Sequence, residues 1–238
     1  MLRTSAVLIA LLALAAPALA EDRRLPIEDF DRIVVEGPYI VHLVTARSTS
    51  ALARGSRVAL DRLSIDVQGM TLRIRRSRNA WVGTPGADAG TVTIELTTRS
   101  LRSARLIGPA RLDADNIRGL AVEFSVEGSG TLHATRVDAD RLSLGLIGSG
   151  RLDLAGRARM LTGAFQGTGD LAAPQLVVNN ARIASTTSGA VAVTVNGPAT
   201  IANDGLGNVR IFGRAVCSNS GVSVDQIRCG GSDQGQHR

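Results

Sequence analysis

The sequence contains no lysine and very few aromatic residues. All 27 of its basic side chains are arginine, a bias that GC-rich genomes produce whatever the protein binds. Aromatic residues make up only 3% of the chain, so the core must be built from Val, Ile, Leu and Ala. The same scarcity leaves few side chains that could stack on a sugar ring.

After its first 20 residues the chain also lacks long apolar runs, so we predict no membrane-spanning helix. The one long apolar run, residues 6–16, follows the basic Arg3 and precedes a stretch of small residues that ends at Ala20. This order is typical of a secretory signal peptide. We predict that residues 1–20 are a signal peptide cleaved after Ala20, and that the protein is periplasmic or secreted.

The formal net charge of the chain is +6, with a pI near 10.9. Such a charge would suit nucleic acid, but the arginines are scattered along the chain and an exported protein seldom meets that ligand. We therefore predict no nucleic-acid partner. Attraction to an anionic envelope polymer or polysaccharide is the expected consequence of the charge, with another protein as the alternative partner.

Cysteine is nearly absent, with one pair, Cys217 and Cys229. Two cysteines in an oxidising compartment are expected to form a structural disulfide. A metal site is the alternative, but no histidine or further cysteine lies near them, and His237 belongs to a polar tail. We predict the disulfide, no metal and no cofactor.

The most informative pattern is a glycine-rich tripeptide that recurs about every 20 residues. Gly-Ser-Gly occupies residues 128–130 and 148–150, and Gly-Thr-Gly occupies residues 167–169. Gly108 precedes the series and Gly189 continues it. Glycine at regular positions is expected at tight corners, where positive φ carries no steric cost.

Alternating aliphatic residues follow each glycine marker, which is the pattern of a strand with one buried face. The pairs are Leu112 and Ala114, Leu132 and Ala134, Leu152 and Leu154, Leu171 and Ala173, Val191 and Val193, and Val209 and Ile211. A second set precedes each marker, as at Phe124, and a weaker third set includes Val137. Three short strands in about 20 residues predict one coil of a parallel β-solenoid. No part of the mature chain shows helical periodicity.

Residues 27–107 fit the same architecture with longer, less regular coils. Strand-like stretches occur at residues 33–35, 40–43, 63–67, 70–74 and 92–96. We predict a protruding loop at residues 75–90, in which Trp81 either anchors a partner or covers a solenoid end. The predicted organisation is one all-β domain over residues 21–229, followed by a disordered polar tail at 230–238.

These motifs together resemble a known family. Residues 30–37 have the pattern Phe-x-x-Ile-x-Val-x-Gly, and residues 65–74 have Ile-x-Val-x-Gly-x-x-Leu-x-Ile. With the Gly-Ser-Gly coils that follow, the chain resembles the head GIN domain over about residues 28–215, a family of exported bacterial proteins described as a "putative auto-transporter adhesin". The resemblance implies a right-handed β-solenoid and supplies no established catalytic or binding residues. The later coils depart from it, since Gly-Thr-Gly and Ser-Gly replace the usual tripeptide.

Aligning the coils by their glycines places Asp113, His133 and Asp153 in one outward ladder. Arg111 and Arg151 occupy a neighbouring ladder. A histidine between two carboxylates could support acid–base chemistry in a polysaccharide lyase or hydrolase, and the arginines could bind an anionic ligand. The alternative is a solvated face on which opposite charges stack with little energetic effect.

We favour a non-catalytic envelope or surface protein that presents a solenoid face for binding. Regularly spaced ladders suit a polymeric ligand such as a glycan or an envelope polymer, and another protein is a further possible ligand. The rival interpretation is a carbohydrate-active enzyme that uses Asp113, His133 and Asp153. Its oligomeric state does not follow from the sequence.

Overall fold

The computed structural model describes residues 21–77 and 90–230, which form a single 18-stranded sheet wound into a solenoid. The strands are β1 (Glu21–Leu25), β2 (Arg32–Glu36), β3 (Tyr39–Thr45), β4 (Ser50–Gly55), β5 (Leu63–Gln68), β6 (Thr71–Arg76), β7 (Val92–Thr98), β8 (Ser103–Ile107), β9 (Arg111–Asp115), β10 (Ile117–Gly128), β11 (Thr131–Gly148), β12 (Arg151–Gly167), β13 (Asp170–Thr187), β14 (Val191–Val195), β15 (Pro198–Asn203), β16 (Val209–Phe212), β17 (Val216–Ser220) and β18 (Ile227–Cys229). The predicted all-β solenoid is confirmed.

The coils stack in parallel and present two long faces and one short face. Face 1 contains β6, β2 and β8, the second halves of β10 to β13, then β15 and β17. Face 2 contains β1, β4, β7, β3 and β9, the first parts of β11 to β13, then β14, β16 and β18. Face 3 is short, consisting of residues 117–119, 137–139 and 156–158 with the corresponding part of β13.

A continuous aliphatic core fills the solenoid. Every residue of the predicted inward pairs is buried, from Leu112 to Ile211, and Val137 of the third set is buried as well. Phe124 and Phe165 are the largest core side chains in the regular coils. Because each inward residue contacts its equivalents in the coils above and below, the stability of this core is a sum of neighbour interactions.

The corner glycines are needed for two different reasons. Gly128 and Gly148 have φ of 105° and 113°, in the left-handed region that side chains other than glycine rarely adopt. Gly130 and Gly150 sit instead beneath the backbone of the preceding coil. A Cβ on Gly150 would lie 2.6 Å from the carbonyl oxygen of Gly130, so the coils could not stack at their normal separation.

The coils vary between 20 and 18 residues in length along the regular part of the chain, and the last ones are the shortest. Gly128 pairs with Gly148 and that residue pairs with Gly167, which makes successive coils of 20 and 19 residues. The second coil is one residue shorter at the corner before Gly156. A Cβ added at Gly156 would lie only 2.1 Å from the carbonyl oxygen of Val137. Later, Val191 pairs with Val209, so the coil has 18 residues, because face 3 ends at β13 and β14.

The N-terminal half contains longer coils, as predicted, but their stacking order differs from their order in the chain. Strand β2 lies between β6 and β8, and β3 lies between β7 and β9. The intervening residues run antiparallel: β4 pairs with β7, β1 with β4, and β5 with β6.

Strands β1 and β4 were not predicted, because neither shows clear alternation. The expectation of no helix was wrong at one place, α1 (Arg57–Asp61). This single turn is too short to produce helical periodicity, and it is stabilised by Ser56, whose side-chain oxygen accepts a hydrogen bond from the Ala59 N–H at 3.2 Å. A 3₁₀ turn also occurs at Val224–Gln226.

A disulfide joins the two faces at the C-terminal end. Cys217 of β17 and Cys229 of β18 are bonded, with their Cα atoms 6.3 Å apart. The predicted signal peptide, Trp81 and the tail from residue 231 onward lie outside the described residues, as does most of the predicted loop. Within the described ranges, no helix is long and apolar enough to span a membrane.

Candidate functional site

The predicted outward ladder is present on face 2 and is longer than the sequence indicated. His133 pairs in register with Asp113 on one side and with Asp153 on the other. His42 of β3 pairs with Asp113 as well, and Glu95 of β7 pairs with His42. Carboxylates and histidines therefore alternate across five neighbouring strands. The sequence did not reveal the contribution of His42 and Glu95 because β3 and β7 stack out of chain order.

The carboxylates of this ladder are already paired with arginines. Arg111 donates two hydrogen bonds of 3.0 Å to Asp113, and Arg151 donates bonds of 3.0 and 3.1 Å to Asp153. The hydrogen bond and the negative charge of Asp113 raise the pKa of the Arg111 guanidinium. Both predicted binding arginines are thus occupied by intramolecular partners that an incoming anion would have to displace.

The ladder lies on an open strand surface rather than in a cleft. The Nδ1 atom of His42 is 3.3 Å from Oδ2 of Asp113, and the His42 side chain is 49% exposed. Within the described residues, no three His, Cys, Asp or Glu side chains are grouped as a metal ion would require. The ladder brings the His42 imidazole close to Asp113, but the carboxylates do not converge on one point where a bond could be cleaved.

A groove of about 990 Å³ lies beside the N-terminal end of this ladder. The segment after β1, including Ile27, forms one wall, and Leu52 and Val44 contribute apolar side chains. His42 and Glu95 contribute polar atoms at its margin. The groove is shallow and open, because the strand surface forms its floor.

A second feature, which the sequence did not predict, is a row of arginines along the edge between faces 2 and 3. We call it the arginine edge. It consists of Arg99, Arg47, Arg118, Arg136 and Arg157, one from each of five neighbouring layers of the stack. Adjacent layers lie about 4.8 Å apart, so the row extends over roughly 19 Å.

Two adjoining grooves follow the arginine edge. One, of about 540 Å³, is lined by Arg47, Arg99 and Arg118 together with polar residues. The other, of about 500 Å³, shares Arg118 and Asn116 with the first and extends to Arg157. Asn116 turns the corner with φ of 59°, a left-handed conformation that asparagine tolerates better than most residues.

Three carboxylates neutralise only part of the arginine edge. Asp138 accepts hydrogen bonds of 2.9 and 2.7 Å from Arg157, and these bonds, with the positive charges of Arg157 and Arg118, lower the pKa of that carboxyl. Asp115 accepts a bond from Arg136, and Asp29 lies 3.3 Å from Arg99.

The remaining two arginines of the edge, Arg47 and Arg118, form no ion pair with any residue that the structure describes. The edge therefore carries an excess of two positive charges. The sequence could have suggested the part of this edge in the regular coils, because Arg118, Arg136 and Arg157 each follow the first strand segment of a coil. Out-of-order stacking of β3 and β7 hid the rest.

Comparisons with known proteins agree with this architecture. A putative adhesin from Bacteroides fragilis has a TM-score of 0.79 and 16% sequence identity, over 89% of this chain and 96% of that one. A putative lipid binding protein from Parabacteroides distasonis has a TM-score of 0.70 and 17% identity, over 91% and 98%. A putative adhesin from the same organism has a TM-score of 0.65 and 14% identity, over 90% and 96%. At these identities the likeness is one of fold.

No curated protein matches the chain significantly. The profile of one family does match, over residues 29–215, which is most of the chain. Those limits agree with the span over which the sequence motifs indicated the same resemblance. The chain therefore belongs to the head GIN domain family, described as a "putative auto-transporter adhesin".

Proposed function

We propose that this protein is an exported, non-catalytic binding protein that holds an anionic envelope polymer or polysaccharide along the arginine edge. The observation that carries the proposal is that five arginines from neighbouring layers line two adjoining grooves. Two of them, Arg47 and Arg118, form no ion pair with a residue that the structure describes. A polymer with regularly spaced negative charges would meet a positive group at each layer.

These two arginines lie where a ligand could reach them. Arg47 and Arg118 are both in the wall of the same open groove, beside the hydroxyl groups of Thr45 and Ser100. Guanidinium groups match carboxylate, sulfate and phosphate groups with two parallel hydrogen bonds. Arg118, Arg136 and Arg157 lie within paired strands, and Arg99 and Arg47 lie in the bends directly after β7 and β3. A ligand would therefore not have to order the backbone of the three strand positions on binding.

The family and the fold are consistent with an adhesive surface role and say nothing of the ligand. The ladder of Asp113, His133 and Asp153 supports the rival enzymatic function less well, because Arg111 and Arg151 pair with both carboxylates. The charge excess lies on the arginine edge and not on that ladder. We therefore place polymer binding on the edge.

The test is binding of the purified full chain to immobilised polygalacturonate, with elution by increasing salt. The double variant Arg47→Gln, Arg118→Gln is expected to weaken binding about tenfold, because each lost exposed ion pair contributes up to about 1 kcal/mol. The matched control is Arg57→Gln, Arg62→Gln, which removes two arginines at α1 that form no ion pair with any described residue. Equal loss in the two double variants would show that only net charge matters and would overturn the proposal.

A further inference from the structure

The outward ladder that contains Asp113 changes character towards the C-terminal end of the solenoid. After Asp153 it continues through Ala172 and Ala192 and then reaches Arg210 of β16 and Arg228 of β18. Both arginines are exposed. The small alanines leave an open strand surface beside them.

Arg210 and Arg228 face each other in adjacent strands without a carboxylate between them. Among the described strands this is the one position where arginine pairs with arginine, and neither side chain forms an ion pair with a described residue. On the arginine edge, by contrast, Asp138 lies between Arg118 and Arg157. Like charges directly opposite in neighbouring strands are destabilising, and a bound anion would relieve that repulsion.

An aromatic ring lies beside this pair. Phe212, two residues after Arg210, is only half-buried, and its ring centroid is 6.0 Å from the Arg210 guanidinium carbon. The other described aromatic side chains are buried in the core. Phe212 pairs with Thr194 of the previous coil, so a hydroxyl group and an aromatic ring lie on the same surface as Arg210.

We propose that Arg210, Arg228 and Phe212 form a binding site for one acidic sugar unit. The two guanidinium groups would bind the anionic group of the sugar, as arginine pairs bind carboxylate or sulfate, and the apolar face of the sugar ring would lie against Phe212. Asn208, which is exposed two residues before Arg210, would supply an amide for a sugar hydroxyl.

The disulfide gives this site its rigidity. Strand β18 has only three residues, Ile227–Cys229, and among the described strands it pairs with β16 on one side only. Cys229 directly follows Arg228 in the chain, and it is bonded to Cys217 of the opposite face. Reduction is therefore expected to release Arg228 from its register and to weaken the site.

The site is distinct from the arginine edge. It lies on face 2 of the last two coils and would recognise one acidic unit, whereas the edge runs across five layers closer to the N-terminus. Variants at the two places therefore separate the two proposals. The edge variant Arg47→Gln, Arg118→Gln should weaken polymer binding and leave this site intact. Substitutions at Arg210 and Arg228 should weaken this site and leave the edge intact.

The experiment is titration of the ¹⁵N-labelled full chain, by NMR, with tetragalacturonate and with a heparin tetrasaccharide. Methyl-esterified tetragalacturonate, which lacks the charge, is the ligand control. We expect Arg210→Gln and Arg228→Gln each to weaken binding of at least one acidic probe about tenfold, and Phe212→Ala to weaken it severalfold. Arg182→Gln, which removes from face 1 an exposed arginine that has no ion pair within the described ranges, should have no effect.

A second measurement separates a binding role from a purely structural one. Arg210→Gln and Arg228→Gln each remove the like-charge contact between these two residues. Each variant should therefore leave the free energy of unfolding unchanged or raise it, although it weakens binding. The proposal is overturned if neither acidic probe binds with a Kd below about 1 mM, if the methyl ester binds equally well, or if Arg182→Gln causes the same loss.

Discussion

The hydroxyl group of Thr135 donates a 2.5 Å hydrogen bond to Oδ1 of Asp115 in the preceding coil. Arg136, the next residue, donates to the other oxygen of the same carboxylate. The hydrogen bond from Thr135 is the main reason why the pKa of Asp115 is lowered, and the positive charge of Arg136 lowers it further. Thr135 and Arg136 of one coil thus stabilise the Asp115 carboxylate of the preceding coil, at the border of the arginine edge.

This contact makes stability depend on pH. A carboxyl whose pKa is lower in the folded state contributes stability above its unfolded pKa of about 4, and that contribution is lost as the pH falls through the folded value. Thr135→Val should therefore shift the pKa of Asp115 upward and reduce stability at neutral pH more than at acidic pH. An NMR titration of the Asp115 carboxyl carbon and urea unfolding at several pH values measure both effects. An unchanged pKa in the variant would contradict the account.

The corner glycines predict a sharp difference between two alanine substitutions in one coil. Gly150→Ala places a Cβ 2.6 Å from the Gly130 carbonyl oxygen and should destabilise the fold by about 1–3 kcal/mol. Gly145→Ala points outward, 3.4 Å from the Ser125 hydroxyl oxygen, and should be neutral or slightly stabilising. Thermal or urea unfolding of both variants provides the comparison, and equal effects would contradict close stacking at the corner.

Reduction of the Cys217–Cys229 disulfide should loosen only the end of the solenoid. Closing a loop of this length contributes about 2–3 kcal/mol, and in a solenoid that loss is local because each coil contacts only its neighbours. Hydrogen exchange should therefore increase in β17 and β18 and remain slow in β11 and β12. Uniform acceleration through the central coils would show instead that the solenoid unfolds as one unit.

The ladder on face 2 tests the rival enzymatic hypothesis. We expect His133→Ala to bind polygalacturonate as tightly as the natural chain, because His133 lies on the ladder and not on the arginine edge. We also expect no release of reducing ends or unsaturated products from polygalacturonate by the natural chain. Product release that disappears in His133→Ala would support the enzyme and contradict our proposal.

Much of the fold could be predicted from the sequence because each regular coil repeats its own local signals. Gly128 and Gly148 mark corners, and residues such as Leu132 and Leu152 mark the buried positions of the strands between them. Because equivalent positions stack, the same alignment also placed Asp113, His133 and Asp153 in one ladder.

The N-terminal half could not be predicted in the same way, because its contacts are long-range. His42 meets Asp113 only because β3 stacks against β9, which no local spacing reveals. The arginine edge depends on the same rearrangement, since Arg47 and Arg99 follow strands that are adjacent in space but far apart in sequence. Charge neutralisation was also hidden, because the pairing of Arg111 with Asp113 depends on side-chain geometry.

The most direct test of the binding proposal is a hydrogen-exchange footprint of the full chain with and without polygalacturonate. The account predicts slower exchange at the strand ends and corners that carry Arg47, Arg118 and Arg157, and little change on face 1, for example in β15. Protection confined to face 1, or spread evenly over the surface, would contradict the account.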